Sequence, residues 1–264
     1  MAMALSISVA DKGAKGGDAH MTASRVAVVT GGSRGIGRAV AERLAGDGVA
    51  VAVGYAESSD TARDIVTRVR SAGGTAVALR VDVADAEQVA ALFDQVESEF
   101  GGVDVVVTSA GIMRTALIAE ATDKDFADQV AVNIRGTFNA LREAARRVRD
   151  GGRIVTLSST TLALNAPGYG IYNATKGAVE GLTRVLAKEV GSRGITVNTV
   201  APGPVETELF LTGKSTSDVE RLAGLAPQHR IGQPGDIADA VALLVSRDAR
   251  WISGQVVRVN GAVA

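Results

Sequence analysis

The chain has 264 residues, 46% hydrophobic and 22% charged, with 28 Lys and Arg against 29 Asp and Glu and a formal net charge of -1. That balance gives no global attraction to nucleic acid or to an anionic membrane, and the apolar content suffices for one sizeable core. Cysteine is absent and the two histidines, His20 and His229, are far apart, which excludes disulfides and thiolate chemistry and leaves no basis for expecting a metal centre.

The first 23 residues read MAMALSISVA and then a Gly-rich polar stretch, too short and too lightly charged for a convincing signal peptide. They are expected to be a disordered leader before one domain over 24–264. No apolar run reaches the roughly 20 residues of a membrane helix. A cysteine-free chain fits a reducing cytoplasm, the expected compartment.

From Arg25 short β-branched runs alternate with longer helical stretches. Strands are expected at VAVVT (26–30), VAVGY (51–55), AVALRVDV (76–83), VDVVVTSAG (103–111), RIVTLSS (153–159), ITVNTVAP (195–202) and QVVRVNG (255–261). They are apolar on both faces, as strands between two helical layers must be. Most intervening helical stretches end in Gly, a C-terminal stop. The stretch TDKDFADQVAVNIRGTFNALREAARRVRDGG reads as one long helix. Within it Asn133 is mildly unfavourable and needs a reason. The pattern implies an α/β fold: a single-domain, Rossmann-type, doubly wound parallel sheet of about seven strands with helices on both faces.

Thr30-Gly31-Gly32-Ser33-Arg34-Gly35-Ile36-Gly37 follows the first strand and opens the first helix. A Gly-rich turn alone is weak evidence, because plain tight turns also collect glycine. Its place between first strand and first helix favours a phosphate cradle, where backbone approaches a pyrophosphate and helix N–H groups face the anion.

Tyr172 and Lys176 stand four apart at the start of a helical stretch and so share a face. An ammonium there favours the phenolate and lowers a tyrosine pKa that is otherwise near ~10. An exposed Tyr and Lys on an ordinary helix would look the same. Ser159 ends a strand thirteen positions before Tyr172, at the carboxyl edge where open α/β sheets bind ligands.

With the T-G-x-x-x-G-x-G turn, the order and spacing of Asn133, Ser159, Tyr172 and Lys176 resemble the short-chain dehydrogenase/reductase family over almost the whole chain from Arg25. The similarity extends to Asp82-Val83, to Ala110-Gly111, and to Pro202-Gly203 leading through Val205 to Thr207. It implies hydride transfer between a nicotinamide cofactor and a carbonyl or alcohol carbon. Tyr172 would exchange the proton, Ser159 hydrogen-bond the substrate oxygen, Lys176 hold the cofactor ribose, and Asn133 steady a water. Gly31, Ser33, Arg34, Gly35, Ile36, Gly37, Asp82, Val83, Ala110, Gly111, Pro202, Gly203, Val205 and Thr207 would contact the cofactor. Where the family usually shows Asn-Asn-Ala-Gly, this chain has Thr108-Ser109-Ala110-Gly111, with shorter side-chain reach.

The second strand ends Tyr55-Ala56-Glu57-Ser58, without the acidic residue directly after it that receives a ribose 2′-hydroxyl in NAD enzymes. Arg34 and Ser58 suit a phosphate, so NADP(H) is expected over NAD(H). Glu57 runs against that choice. The loop from Val205 to about Gly232, with Leu162, Leu164 and Tyr169, is expected to set substrate choice. Leu209, Phe210 and Leu211 are either pocket residues or core anchors. His229 and Trp251 carry no chemical role, with Trp251 placed near the last strand. The expected partner is a small ketone, aldehyde or alcohol. A beta-ketoacyl-carrier-protein reductase is the alternative, which would use Arg142, Arg146, Arg147 and Arg149 as a docking patch if they are not simply a solvated face. A non-catalytic NADP-binding sensor or scaffold is a third. The resemblance also implies a homotetramer.

Overall fold

A computed structural model describes residues 25–264, so the expected leader and His20 lie outside the described residues. Seven strands form one parallel sheet: β1 (Val26–Thr30), β2 (Ala50–Tyr55), β3 (Ala76–Arg80), β4 (Val103–Thr108), β5 (Val148–Leu157), β6 (Thr196–Pro202) and β7 (Val256–Val259). Their spatial order is β3-β2-β1-β4-β5-β6-β7, every pair parallel. The chain reverses its direction of travel across the sheet between β1 and β4, which opens a crevice at their carboxyl ends.

Alternation along the central strands feeds two cores. Ala27, Val29, Val51, Val53, Val105 and Val107 face α1 (Gly35–Gly46), α2 (Ser59–Ser71) and α10 (Pro234–Val245). Val26, Val28, Ala50, Ala52 and Val106 face α3 (Ala86–Phe100), α5 (Thr137–Arg147) and α7 (Gly170–Glu189). Edge strands β3 and β7 are only partly buried, unlike the expectation of burial on both faces, because each lacks a second neighbour.

The long helix expected from Thr122 is broken in two ways. It consists of α4 (Asp123–Gln129), a π-helical turn (Val130–Gly136) and α5. It then ends at Arg147, and residues 148–152 join β5, Val148 pairing with Val103 before the register shifts. Within the π-turn Gly136 is needed for close approach, since a Cβ would lie 2.5 Å from Val83 Cγ2. The wider turn swings Asn133 inward to full burial, which answers the question that residue posed.

Helix α7 is tied to the sheet by three buried hydroxyls that form a closed ring. Thr156 Oγ1 lies 2.8 Å from both Thr183 and Thr199, and Thr199 donates to Thr183 at 2.9 Å. In an apolar layer each hydroxyl satisfies its neighbours, and the ring fixes α7 against β5 and β6. Thr183→Val keeps the volume but strips two buried hydroxyls of a partner. It should cost about 1–3 kcal/mol in urea unfolding, with unchanged secondary structure by circular dichroism; a neutral effect would mean the ring contributes nothing to the docking of α7.

Candidate active site

A cleft of about 1190 Å³ runs across the carboxyl edge of the sheet. Its floor on one side is the glycine turn. Gly31 has φ +64°, and a Cβ there would lie 2.6 Å from Ala110 backbone. Gly37 meets Gly31 O so closely that no side chain fits. Arg34 opens α1 in an extended conformation with no side-chain cap, whereas α3 is capped by Asp85. The first-turn N–H groups of α1 therefore lack a side-chain acceptor such as Asp85 provides at α3, and they face the cleft. These features fit a pyrophosphate.

The second wall carries the reactive groups. Tyr172 and Lys176 project from the first turns of α7 and are 8% and 6% exposed. Ser159 lies two residues beyond the end of β5 rather than on it, immediately before the short helix α6 (Thr161–Leu164). Ser159, Tyr172 and Lys176 all line the cleft. Lys176 Nζ donates to Leu157 O at 2.9 Å and stands 5.5 Å from the Tyr172 ring centroid.

Asn133 does not line the cleft. Its amide donates to Ile112 O at 2.9 Å and to Thr175 Oγ1 at 3.1 Å, while its oxygen accepts from Ile112 N at 2.9 Å. Thr175 in turn donates to Tyr172 O at 2.7 Å. Both amide N–H groups are thus committed to protein, so the side chain ties the loop after β4 to α7. Its amide oxygen keeps a second lone pair, so these contacts are compatible with the water-steadying role expected for it.

Electrostatics differ from the sequence expectation. Burial pushes the Tyr172 phenol up to about 12, against a smaller lowering by a hydrogen bond with Ser159. The expected lowering by Lys176 does not win, because burial also drives that lysine down, to about 8. Both groups prefer the neutral form when the charged form loses water.

At the far end of the cleft Ser58, Asp82 and Val83 lie with Tyr55, Glu57 and Arg80. Arg80 Nε donates to Ala56 O at 3.2 Å. Sequence reading missed Arg80, which is 22 positions from Ser58 and joins it only through β2–β3 pairing. Arg34 lines the cleft too and forms an exposed ion pair with Glu208 at 3.6 Å. Gly31, Ser33, Gly35, Ile36, Ala110, Gly111, Pro202, Gly203, Val205 and Thr207 are also on the cleft wall. Gly37 is behind it, serving the turn's packing. Thr207 caps α8 (Glu208–Leu211), its Oγ1 accepting from Phe210 N. The Thr108 hydroxyl is buried without a partner, so its shorter reach leaves an unmet polar group below the cleft.

Toward the mouth, Leu164, Tyr169, Leu209 and Phe210 line the cleft, while Leu162 and Leu211 do not. The segment expected as a loop carries two short helices, α8 and α9 (Thr216–Ala223). Met113 and Leu117, after Ala110-Gly111, also line the mouth; their only sequence signal was an apolar run beyond that motif.

Because burial lowers Lys176 from 10.5 to about 8, the unfolded chain binds more protons than the folded one between those values, and stability rises with pH across that window. Relative to Lys176→Met, the wild type should gain up to about 3 kcal/mol of unfolding free energy over it. Guanidinium unfolding at several pH values checks this; a pH-independent difference would mean the ammonium keeps its water.

Comparison with known proteins agrees with the geometry. Residues 31–263 match the family profile described as Enoyl-(Acyl carrier protein) reductase. A short-chain type dehydrogenase/reductase of Picea abies is 41% identical over 247 residues, 90% of this chain and 91% of that protein. The 3-oxoacyl-(acyl-carrier-protein) reductase FabG of Staphylococcus aureus is 40% identical, covering 91% and 98% of the two chains. A short chain dehydrogenase from Burkholderia cenocepacia, solved in complex with NADP, superposes with TM-score 0.86 at 36% identity over 91% of this chain and 98% of that one. With the seven-stranded sheet and these relatives spanning nearly its whole described length, the chain belongs to the short-chain dehydrogenase/reductase family of oxidoreductases.

Proposed function

We propose that the protein, through one domain over 24–264, transfers hydride between NADP(H) and a carbonyl or alcohol carbon, with reduction of an apolar ketone or aldehyde as the favoured direction. One observation carries the reading: a phenol, a serine hydroxyl and a buried ammonium converge on the same cleft as the uncapped glycine turn. Bound NADPH would supply the hydride. In reduction, Tyr172 Oη gives its proton to the oxygen that becomes the alcohol, and Ser159 Oγ hydrogen-bonds that oxygen. A phenol held neutral by burial is a stocked acid for this step. Lys176, hung from Leu157 O, holds the ribose and brings positive charge near the developing phenolate. Asn133 keeps Ile112 and α7 in register.

The choice of NADP(H) rests on Arg34, Ser58 and Arg80 at one end of the cleft. Arg34's exposed pair with Glu208 is worth ~1 kcal/mol or less and yields readily to a phosphate. Glu57 on the same wall opposes the choice. The Burkholderia cenocepacia relative in complex with NADP supports it. Substrate polarity follows from the mouth, where Leu117 and Leu209 are half-exposed. Assembly into a tetramer is supported by exposed apolar groups on two separate faces: Phe126, Phe138 and Val185 on α4, α5 and α7, and Leu243 and Trp251 beside β7. No described helix is long and apolar enough to cross a membrane, and the cytoplasm is the proposed compartment.

The carrier-protein alternative is favoured by the similarity to FabG. Against it, the basic residues that would dock an acidic partner are largely engaged. Arg142, Arg146 and Arg147 all pair with Glu143, Arg147 also with Asp94 and Glu97, and Arg149 with Asp104.

Loss of NADPH absorbance with a panel of small ketones and aldehydes tests the reaction. Tyr172→Phe should lower kcat by at least about 100-fold with cofactor binding kept; equal rates in both proteins, or a wild type that binds NADPH without turnover, would favour a sensor. Fluorescence titration tests the cofactor. NADPH should bind more tightly than NADH, and Arg80→Ala should weaken NADPH about 10-fold while sparing NADH. Equal binding of the two cofactors would end the NADP assignment.

A further inference from the structure

Ser159 is surrounded by donors in an unusual way. Its Oγ accepts from Thr161 Oγ1 at 2.9 Å and from Thr161 N at 3.2 Å. A serine hydroxyl has two lone pairs and one proton, so both acceptor positions are taken by a single neighbour. The proton is left to point away from Thr161. Tyr172 lines the same cleft, and a hydrogen bond with Ser159 favours its phenolate. Ser159 is therefore a committed donor, unable to take a proton from Tyr172 or from a substrate alcohol without losing a bond to Thr161.

Thr161 is itself held in place. Its carbonyl oxygen accepts from Asn173 Nδ2 at 3.0 Å, and Asn173 follows Tyr172 on α7. The chain Asn173–Thr161–Ser159 thus links the donor's orientation to the same helix that carries the phenol. Thr161 lines the cleft, but its hydroxyl proton is directed at Ser159 rather than into the open space.

We propose that Thr161 is a positioning residue that fixes the polarity of Ser159, making its one proton an obligatory hydrogen-bond donor, to the carbonyl oxygen in reduction and to the Tyr172 phenolate before an alcohol is oxidised. The inference rests on the proposed carbonyl chemistry. Removing the Thr161 hydroxyl frees one lone pair, lets the Ser159 proton sample other directions, and weakens the donor at the moment charge develops on oxygen.

Thr161→Val and Thr161→Ser, each alone and in a Ser159→Ala background, test this by steady-state kinetics. Thr161→Val should lower kcat about 10-fold with KM, NADPH affinity and thermal midpoint nearly unchanged, and Thr161→Ser should restore the rate to within about 3-fold of wild type. In alcohol oxidation, where the Tyr172 phenolate accepts the proton, the rise of activity with pH should move to higher pH in Thr161→Val, because a donor to the phenolate has been loosened. In the Ser159→Ala background the Thr161→Val effect should vanish, since a residue that acts through Ser159 has nothing left to orient. Full activity of Thr161→Val, an equal loss in Thr161→Ser, or an undiminished effect on top of Ser159→Ala would overturn the inference while leaving the reductase reading intact. A wild type without turnover on any carbonyl would overturn both.

Discussion

A lysine ammonium held away from water, with a backbone carbonyl as its hydrogen-bond partner, is the constraint around which this site is organised. Lys176 Nζ rests on Leu157 O and makes no ion pair with a carboxylate among the described residues. A charge so placed is costly, which is why burial lowers its pKa to about 8. The same loss of water keeps Tyr172 protonated. Burial thus biases both groups toward their uncharged forms. The resting protein thus stores an acid, and the charge that would stabilise its conjugate base is already beside it.

Holding that arrangement falls to polar contacts that reach across the fold as well as to the apolar packing of α7. The threonine ring of Thr156, Thr183 and Thr199 pins the middle of α7 to β5 and β6. The π-helical turn brings Asn133 to Thr175 on the first turns of α7, and the same amide grips Ile112 beyond β4. Tyr172 therefore sits on a helix fixed from two directions. Backbone groups at the crevice are left for a ligand instead: α1 has no side-chain cap where it faces the cleft. Internal satisfaction below the site and unmet donors within it are what a preorganised binding cleft requires.

The mouth is built differently from the floor. Leu117, Leu164, Leu209 and Phe210 give it an apolar lining on short helices and loops. Reaction chemistry and substrate choice are thereby assigned to separate parts of the molecule, the first to the rigid sheet edge and the second to its cover.

Alternation of β-branched runs with Gly-terminated helices was enough to read the doubly wound parallel sheet, because burial between two layers writes itself into consecutive residues. The glycine turn was equally legible, since steric exclusion at Gly31 and Gly37 leaves no other residue type. Resemblance to the family in order and spacing also placed Ser159, Tyr172 and Lys176 in one group. Sequence did not disclose the break of the long helix into a π-turn at Asn133, whose cause is the distant pairing with Ile112 and Thr175. Nor did it disclose Arg80 beside Ser58, or that burial outweighs the Lys176 charge in setting the acidity of Tyr172. That Thr161, two residues on, fills both lone pairs of Ser159 is a local contact whose geometry spacing alone did not reveal. Periodicity reports how each residue faces its own layer, whereas hydrogen-bond partners and desolvation depend on segments brought together from far along the chain.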